Sequence, residues 1–341
     1  MGGRAGPPGA ARLADLGRGL MKLLLTGSSG WLGRFLAPRL RAKGHEVVGL
    51  DVAPGADTDV VGSVADQALV DRLFASRGIE AVIHAGALHK PDIARYPESA
   101  FRAVNVEGTR HLLAAAAAAG NDRFLFTSTT SLMISEEIRS GPKDRAVWLT
   151  EESPAVPRNV YGATKLAAER LCRRVHDEAG LAVVILRTGR FFPEEDDTHR
   201  DLSGENRKAN EFLGRRLTVE DAADAHLAAL ERAPELGFDT FLLAAPTPFA
   251  RADCEALIDD APAIIARHFP EAAALYAARG WSLPARIERI YDPSRAERRL
   301  GFHCRTDFAA VLQAMANCGQ LPFAHDPSYV SPKERRGDAR C

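Results

Sequence analysis

The chain has 341 residues, 46% of them hydrophobic, with 44 basic and 45 acidic side chains and a net charge of −1. That length holds one large domain or two smaller ones, and the apolar content is ample for a core. So even a charge balance excludes an electrostatic footprint for nucleic acid or an anionic membrane, and no apolar run reaches the ~18–20 residues that span a bilayer. Cys172, Cys254, Cys304, Cys318 and Cys341 show no CxxC spacing, and the ten histidines form no HxxxH or HExxH arrangement. Reduced thiols in a cytoplasmic protein without a metal site are therefore expected.

In chain order, residues 1–20 are rich in Gly, Ala, Arg and Pro and lack the apolar stretch of a secretory signal. They read as a disordered extension, with a transit peptide as the alternative. Strands are expected at 22–25, 46–50, 58–61 (weak), 81–84, 123–127 and 182–187. Between them the pattern predicts helices at 31–43, 66–76, 100–119 (stopped by Gly120 and Asn121) and 161–178. Such alternation predicts an α/β fold, a Rossmann-type doubly wound parallel sheet. Residues 132–158 read as a loop, and the strongly polar residues 192–210 as a loop or lid. A helix is expected at 220–232, a strand at 239–244, and mainly helix from 251 to 315. The expected organisation is thus a dinucleotide domain at 21–190, a smaller, mainly helical substrate-binding part at 191–320 whose elements can cross back, and a flexible tail at 321–341.

Gly27, Gly30 and Gly33 follow the first strand and open the first helix. In that context glycines permit a tight turn, close approach to a pyrophosphate, and tight helix–strand packing, while the helix N-terminus offers N–H groups to phosphate. Asp51 ends the second strand, where a carboxylate can hold the ribose hydroxyls of NAD and would repel the 2′-phosphate of NADP. Tyr161 and Lys165 stand four apart on a predicted helix and so share a face. A free phenol has a pKa of about 10. A neighbouring ammonium and a positive nicotinamide would lower it, allowing proton transfer coupled to hydride transfer. Strand five ends in Phe126-Thr127-Ser128-Thr129-Thr130-Ser131, a run of candidate hydroxyls.

With these motifs in these places, the chain resembles an extended short-chain dehydrogenase/reductase of the NAD-dependent epimerase/dehydratase type over most of residues 22–315. The spacing GxxGxxG and a late Arg-Ala-Glu-Arg-Arg-Leu-Gly-Phe at 295–302 are part of that likeness. The resemblance implies NAD as cofactor, with Ser29, Trp31 and Leu32 of the glycine turn touching it. It places Ser63 and Val64 beside the adenine, with Ser63 departing from the usual acid, and the backbone of Ala85, Gly86 and Ala87 beneath the cofactor. Lys165 is implied to hold the ribose, and Asn105 to steady the central helices. It aligns the substrate-holding hydroxyl with Thr129, and Ser128 or Thr130 follows from a register shift of one. His84 reads as a packed, hydrogen-bonded histidine rather than a base.

Departures fall on the substrate side. Arg190 replaces the family's usual Asn, and Arg215 and Arg216 lie one off the register of an arginine that meets a diphosphate. With Thr130 they are substrate-binding candidates, able to clamp a diphosphate or a carboxylate, or simply solvated arginines. The leading expectation is a nucleotide-sugar epimerase. The second is a dehydrogenase of a free sugar, uronate or small alcohol. A dinucleotide sensor without chemistry is a third, against which the intact Tyr161, Lys165 and hydroxyls argue. The resemblance further implies a homodimer through the 100–119 and 161–178 helices, a small-molecule partner, and no membrane or nucleic-acid partner.

Overall fold

A computed structural model describes residues 19–141, 144–195 and 202–335. Its strands are β1 (Lys22–Thr26), β2 (Glu46–Asp51), β3 (Val60–Val61), β4 (Ala81–His84), β5 (Arg123–Thr129), β6 (Val147–Leu149), β7 (Ala182–Thr188), β8 (Phe238–Leu243) and β9 (Arg289–Tyr291). Seven of them form one all-parallel sheet in the order β3-β2-β1-β4-β5-β7-β8. Parallel strands covered on both faces read as continuous apolar runs, which is why Leu23-Leu24-Leu25 and Ala81-Val82-Ile83 are wholly buried.

The helices are α1 (Trp31–Ala42), α2 (Gln67–Arg77), α3 (Glu98–Phe101), α4 (Gly108–Ala118), α5 (Glu136–Ser140), α6 (Val160–Ala179), α7 (Gly204–Glu211) and α8 (Val219–Leu236), followed by shorter ones. Helices α1 and α8 cover one face of the sheet, and α2, α4 and α6 the other. Although α8 and β8 lie beyond residue 190, they complete the sheet. A separate cap has its own core around Phe212, Leu257, Ile265, Tyr276 and Phe308. No helix among the described residues is long and apolar enough to cross a membrane.

Four segments differ from expectation. The long helix at 98–118 is interrupted by a π-helical stretch, Arg102–Glu107, that carries Asn105; such wider turns re-aim a side chain. The supposed loop at 132–158 contains α5, capped by Ser135 Oγ accepting from Ile138 N, and β6, paired in parallel with β9. Within the polar 192–210 stretch, α7 is a helix capped by Ser203, and its Arg207, Lys208 and Glu211 are buried. Residues 321–335, expected as a flexible tail, are docked: Phe323 stacks on Phe212, and Lys333 pairs with buried Asp92. The extension at 1–18, the remainder of the tail at 336–341, and residues 196–201 lie outside the described residues.

One buried charge cluster ties the sheet to α6. Arg187 on β7 donates to both carboxylate oxygens of Glu169 on α6, at 3.1 and 2.8 Å, and Ser128 on β5 donates to the same carboxylate at 2.6 Å. Removing one member strands the other charge without solvent. Glu169→Ala is therefore expected to lower unfolding free energy by about 3–5 kcal/mol, measured by urea denaturation; a change under about 1 kcal/mol would show the cluster to be hydrated instead.

Candidate active site

The glycine turn is shaped by close contacts. Gly27 has φ +74°, and a Cβ there would meet Gly86 N at 2.7 Å. Thus the turn after β1 presses on the backbone after β4. A Cβ on Gly33 would lie 2.2 Å from Gly27 O, so α1 can start only against a glycine. A Cβ on Gly30 would lie 3.2 Å from Gly27 O, so the turn would have to give by a few tenths of an ångström. The first N–H groups of α1 have no side-chain cap, the state that favours an anion. Asp51 accepts from Ser29 N at 3.1 Å and Ala53 N at 2.9 Å. The carboxylate thereby fixes the turn and keeps lone pairs for ribose hydroxyls. This cradle fits a dinucleotide.

Ser63 and Val64 follow β3 and are held by hydrogen bonds. Ser63 Oγ accepts from Ala65 N at 3.2 Å, and the Val64 carbonyl accepts from His111 Nδ1 at 3.1 Å. A hydrogen-bonded relay starts at Gly86. Gly86 N donates to Thr26 Oγ1, whose hydroxyl reaches His84 Nδ1 at 2.7 Å. His84 Nε2 meets Thr109 Oγ1, which itself donates to the Asn105 carbonyl. Since Thr109 spends its proton there, Nε2 must carry the ring proton and Nδ1 must accept. Burial, then the Lys165 charge, hold His84 well below the usual histidine range, so it is a neutral structural histidine, as the sequence suggested. The Asn105 amide bridges Leu88 to Thr164 on α6, at 2.9–3.1 Å.

Tyr161 and Lys165 both lie buried on α6, whose N-cap Asn159 accepts from Gly162 N at 2.9 Å. Thr129 stands near the Tyr161 hydroxyl and favours its ionised form. Of the three candidate hydroxyls, Ser128 is committed to Glu169 and Thr130 turns into the following 3₁₀ helix; only Thr129 reaches the tyrosine. Burial pushes Tyr161 up to about 12, against the lowering effect of Thr129. Burial likewise lowers Lys165 to about 7, with its ammonium 3.8 Å from the Phe126 ring centroid. The protein's own groups thus leave Tyr161 a protonated phenol at neutral pH, unlike the lysine-lowered phenol expected from the spacing.

Sequence reasoning missed His89. Its ring lies 5.8 Å from that of Tyr161 and 5.6 Å from that of Phe192, centroid to centroid. Burial, then Lys333 and Lys165, keep it well below the usual range, hence neutral. The only signal available was a lone histidine soon after β4. On the cap side, Arg190, Arg215 and Arg216 converge on buried Glu211 at 3.6, 3.0 and 2.9 Å. Burial alone would raise Glu211; the three arginines outweigh it and hold the carboxyl at about 2. Arg215 also lines a cavity of about 250 Å³ with Arg207, Arg286, Arg289 and Glu288. That cavity belongs to the cap and is not lined by Tyr161.

The model of the NAD-dependent epimerase/dehydratase family matches residues 23–241. A UDP-glucose 4-epimerase of Azospirillum brasilense is 31% identical over 175 residues, 49% of this chain and 48% of the relative. A 3-beta-hydroxysteroid dehydrogenase of Mycolicibacterium neoaurum is 30% identical over 198 residues, 54% of this chain and 50% of the relative. The alignments therefore span about half the length of these curated relatives. A short-chain dehydrogenase/reductase superfamily protein from Agrobacterium tumefaciens, solved with bound NAD, is 28% identical, with a TM-score of 0.61 over 87% of this chain and 96% of that one.

The glycine geometry yields a paired prediction. Gly30→Ala should lower the thermal unfolding temperature only slightly but weaken NAD binding by about tenfold or more, because the added methyl crowds the turn where a pyrophosphate would approach. Gly33→Ala should lower both. Calorimetric NAD titration beside thermal melts checks this; full NAD affinity in Gly30→Ala would remove the phosphate from that position.

Proposed function

The chain belongs to the NAD-dependent epimerase/dehydratase family, and on that premise we propose that it is a sugar-modifying enzyme, a nucleotide-sugar epimerase acting through Tyr161, Thr129 and Lys165. The observation that carries the reading is that Tyr161 and Lys165 lie buried on the same helix, with Thr129 at the end of β5 near enough to favour ionisation of the tyrosine. NAD, when bound, supplies the hydride acceptor and donor and a positive ring that favours phenolate. In this proposal Tyr161 and Thr129 together grip the oxygen of one carbinol. Tyr161, as phenolate, takes the hydroxyl proton and later returns it to the ketone oxygen. Lys165, drawn down to about 7 by burial, regains full charge beside a phenolate, so each group stabilises the ionised form of the other. His89 packs beside Tyr161, with Phe192 on its other side, and in this proposal His89 helps to keep water from the reacting oxygen.

The arginine-lined cap cavity supports a substrate with an anionic handle, since among the described residues Arg207, Arg215, Arg286 and Arg289 line it together with Glu211 and Glu288. Arginine forks suit a diphosphate. One observation favours the second reading, a dehydrogenase of a uronate or free sugar: Arg190 and Arg216 are already engaged by Glu211, which leaves less charge for a diphosphate. Residues Ser29, Trp31, Leu32, Asp51, Ser63, Val64, Ala85, Gly86, Ala87 and Lys165 are the proposed cofactor contacts. The proposal extends to a homodimer built on α4 and α6.

UDP-galactose incubated with the NAD-loaded protein, without further cofactor, should give UDP-glucose by NMR with no net NADH. Net NADH from galacturonate, with UDP-galactose untouched, would overturn the epimerase reading. Tyr161→Phe should lower kcat by about 10²–10⁴. Since the active form is the phenolate, the wild-type rate should rise with pH until Tyr161 of the holoenzyme is ionised, and a flat profile would contradict that role.

A further inference from the structure

The last described stretch of the chain does not end at the cap. From Phe323, buried in the cap core, it runs back along the mouth of the cleft. Asp326 N donates to the Pro193 carbonyl at 2.9 Å, and His325 accepts from Lys208 at 2.9 Å. After a turn in which Ser328 donates to Asp326 at 3.0 Å through N–H and 2.6 Å through Oγ, Tyr329 meets Trp31 edge-on at 5.1 Å. The Arg34 guanidinium covers both rings, at 5.0 and 5.7 Å. Lys333 then pairs with Asp92 and points at the Ala87 carbonyl, 3.5 Å away, while Glu334 pairs with Arg95.

The two landing points have a definite relation to the sheet. Trp31 opens the helix that follows β1, and Ala87 lies just after β4. Strands β1 and β4 are neighbours at the place where the strand order reverses, running β1-β2-β3 one way and β4-β5-β7 the other. In an open α/β sheet that crevice is where a dinucleotide crosses from one half of the sheet to the other. A segment fixed to both lips lies over the crossing.

We propose that residues 323–335 are the outer wall of the dinucleotide site, a strap that closes over NAD and must lift for NAD to enter or leave. Its build suits that role. The middle, residues 326–328 with Val330, is exposed and offers little apolar area to hold it down. The ends are held by Phe323 and by the ion pair to Asp92, which is 1% exposed. Lifting the strap strips a buried carboxylate of its counter-charge, and Asp92 Oδ1 already has no partner among the described residues. Release should therefore be rare and slow. The inference rests on the family's use of NAD and not on the identity of the sugar.

The test loads the full chain with NADH and follows loss of bound fluorescence after mixing with excess NAD. Tyr329→Ala and Lys333→Ala are each expected to speed release about fivefold, and the double variant about tenfold or more, affinity changes of this kind residing mainly in dissociation. Tyr329→Ala removes a half-exposed edge contact on Trp31 and strands no buried charge, so it keeps the test valid should Lys333→Ala destabilise the protein. Release within about twofold of wild type in both would overturn the proposal. In the wild type, NADH should slow amide hydrogen exchange across residues 324–334; unchanged exchange there would also overturn it. No sugar enters either measurement. Failure here leaves the epimerase reading standing, and failure to turn over UDP-galactose leaves the strap standing.

Discussion

Burial of Tyr161 and Lys165 on one face of α6 is the constraint around which the rest is arranged. Two groups proposed to work as a charged pair are both buried, Lys165 against the Phe126 ring and Tyr161 near Thr129. Their separate tendencies are opposite to the working state: the lysine is drawn toward neutrality, the tyrosine away from ionisation. Ionised together, phenolate and ammonium would oppose both tendencies, and a nicotinamide charge would draw the tyrosine down further. Much of the neighbouring architecture keeps α6 in register for that moment. Asn105, delivered by a π-helical turn, ties Thr164 to the loop after β4, and Glu169 clamps the next turn of α6 to Arg187 and Ser128.

Charge in the cap follows a related logic. Glu211 gathers Arg190, Arg215 and Arg216 in a buried site, giving a cluster of net positive sign whose geometry is fixed in advance. A clamp organised by an internal carboxylate costs less ordering when an anion arrives than three free arginines would. It also carries less residual charge, which bears directly on whether a diphosphate or a single carboxylate is the better match.

The sheet and the dinucleotide turn were legible because their requirements are local. A doubly covered strand must be apolar throughout, and Gly27 and Gly33 are dictated by contacts within a few residues or across two adjacent strands. The Tyr161/Lys165 pair was legible from helical spacing. What stayed hidden depends on distant partners. The pairing of β6 with β9 joins segments some 140 residues apart through strands of three residues each, too short for any alternation to show. Helix α7 looked like a loop because its charges are satisfied inside the protein rather than in water. That Ser128 is engaged by Glu169, 41 residues away, could not be read from the run of hydroxyls itself. The strap at 323–335 and the place of His89 against Tyr161 are likewise tertiary facts.

In the proposed mechanism, bound NAD together with Lys165 converts Tyr161 from a protonated phenol into the working base. Ultraviolet difference titration of the phenolate band, with and without saturating NAD and with Tyr161→Phe to identify the signal, tests it most directly. The account predicts that ionisation of this tyrosine falls from about 12 toward neutrality when NAD is bound, and that the shifted signal vanishes in Tyr161→Phe. A titration that NAD leaves unmoved, or a shifted signal that survives Tyr161→Phe, would contradict it.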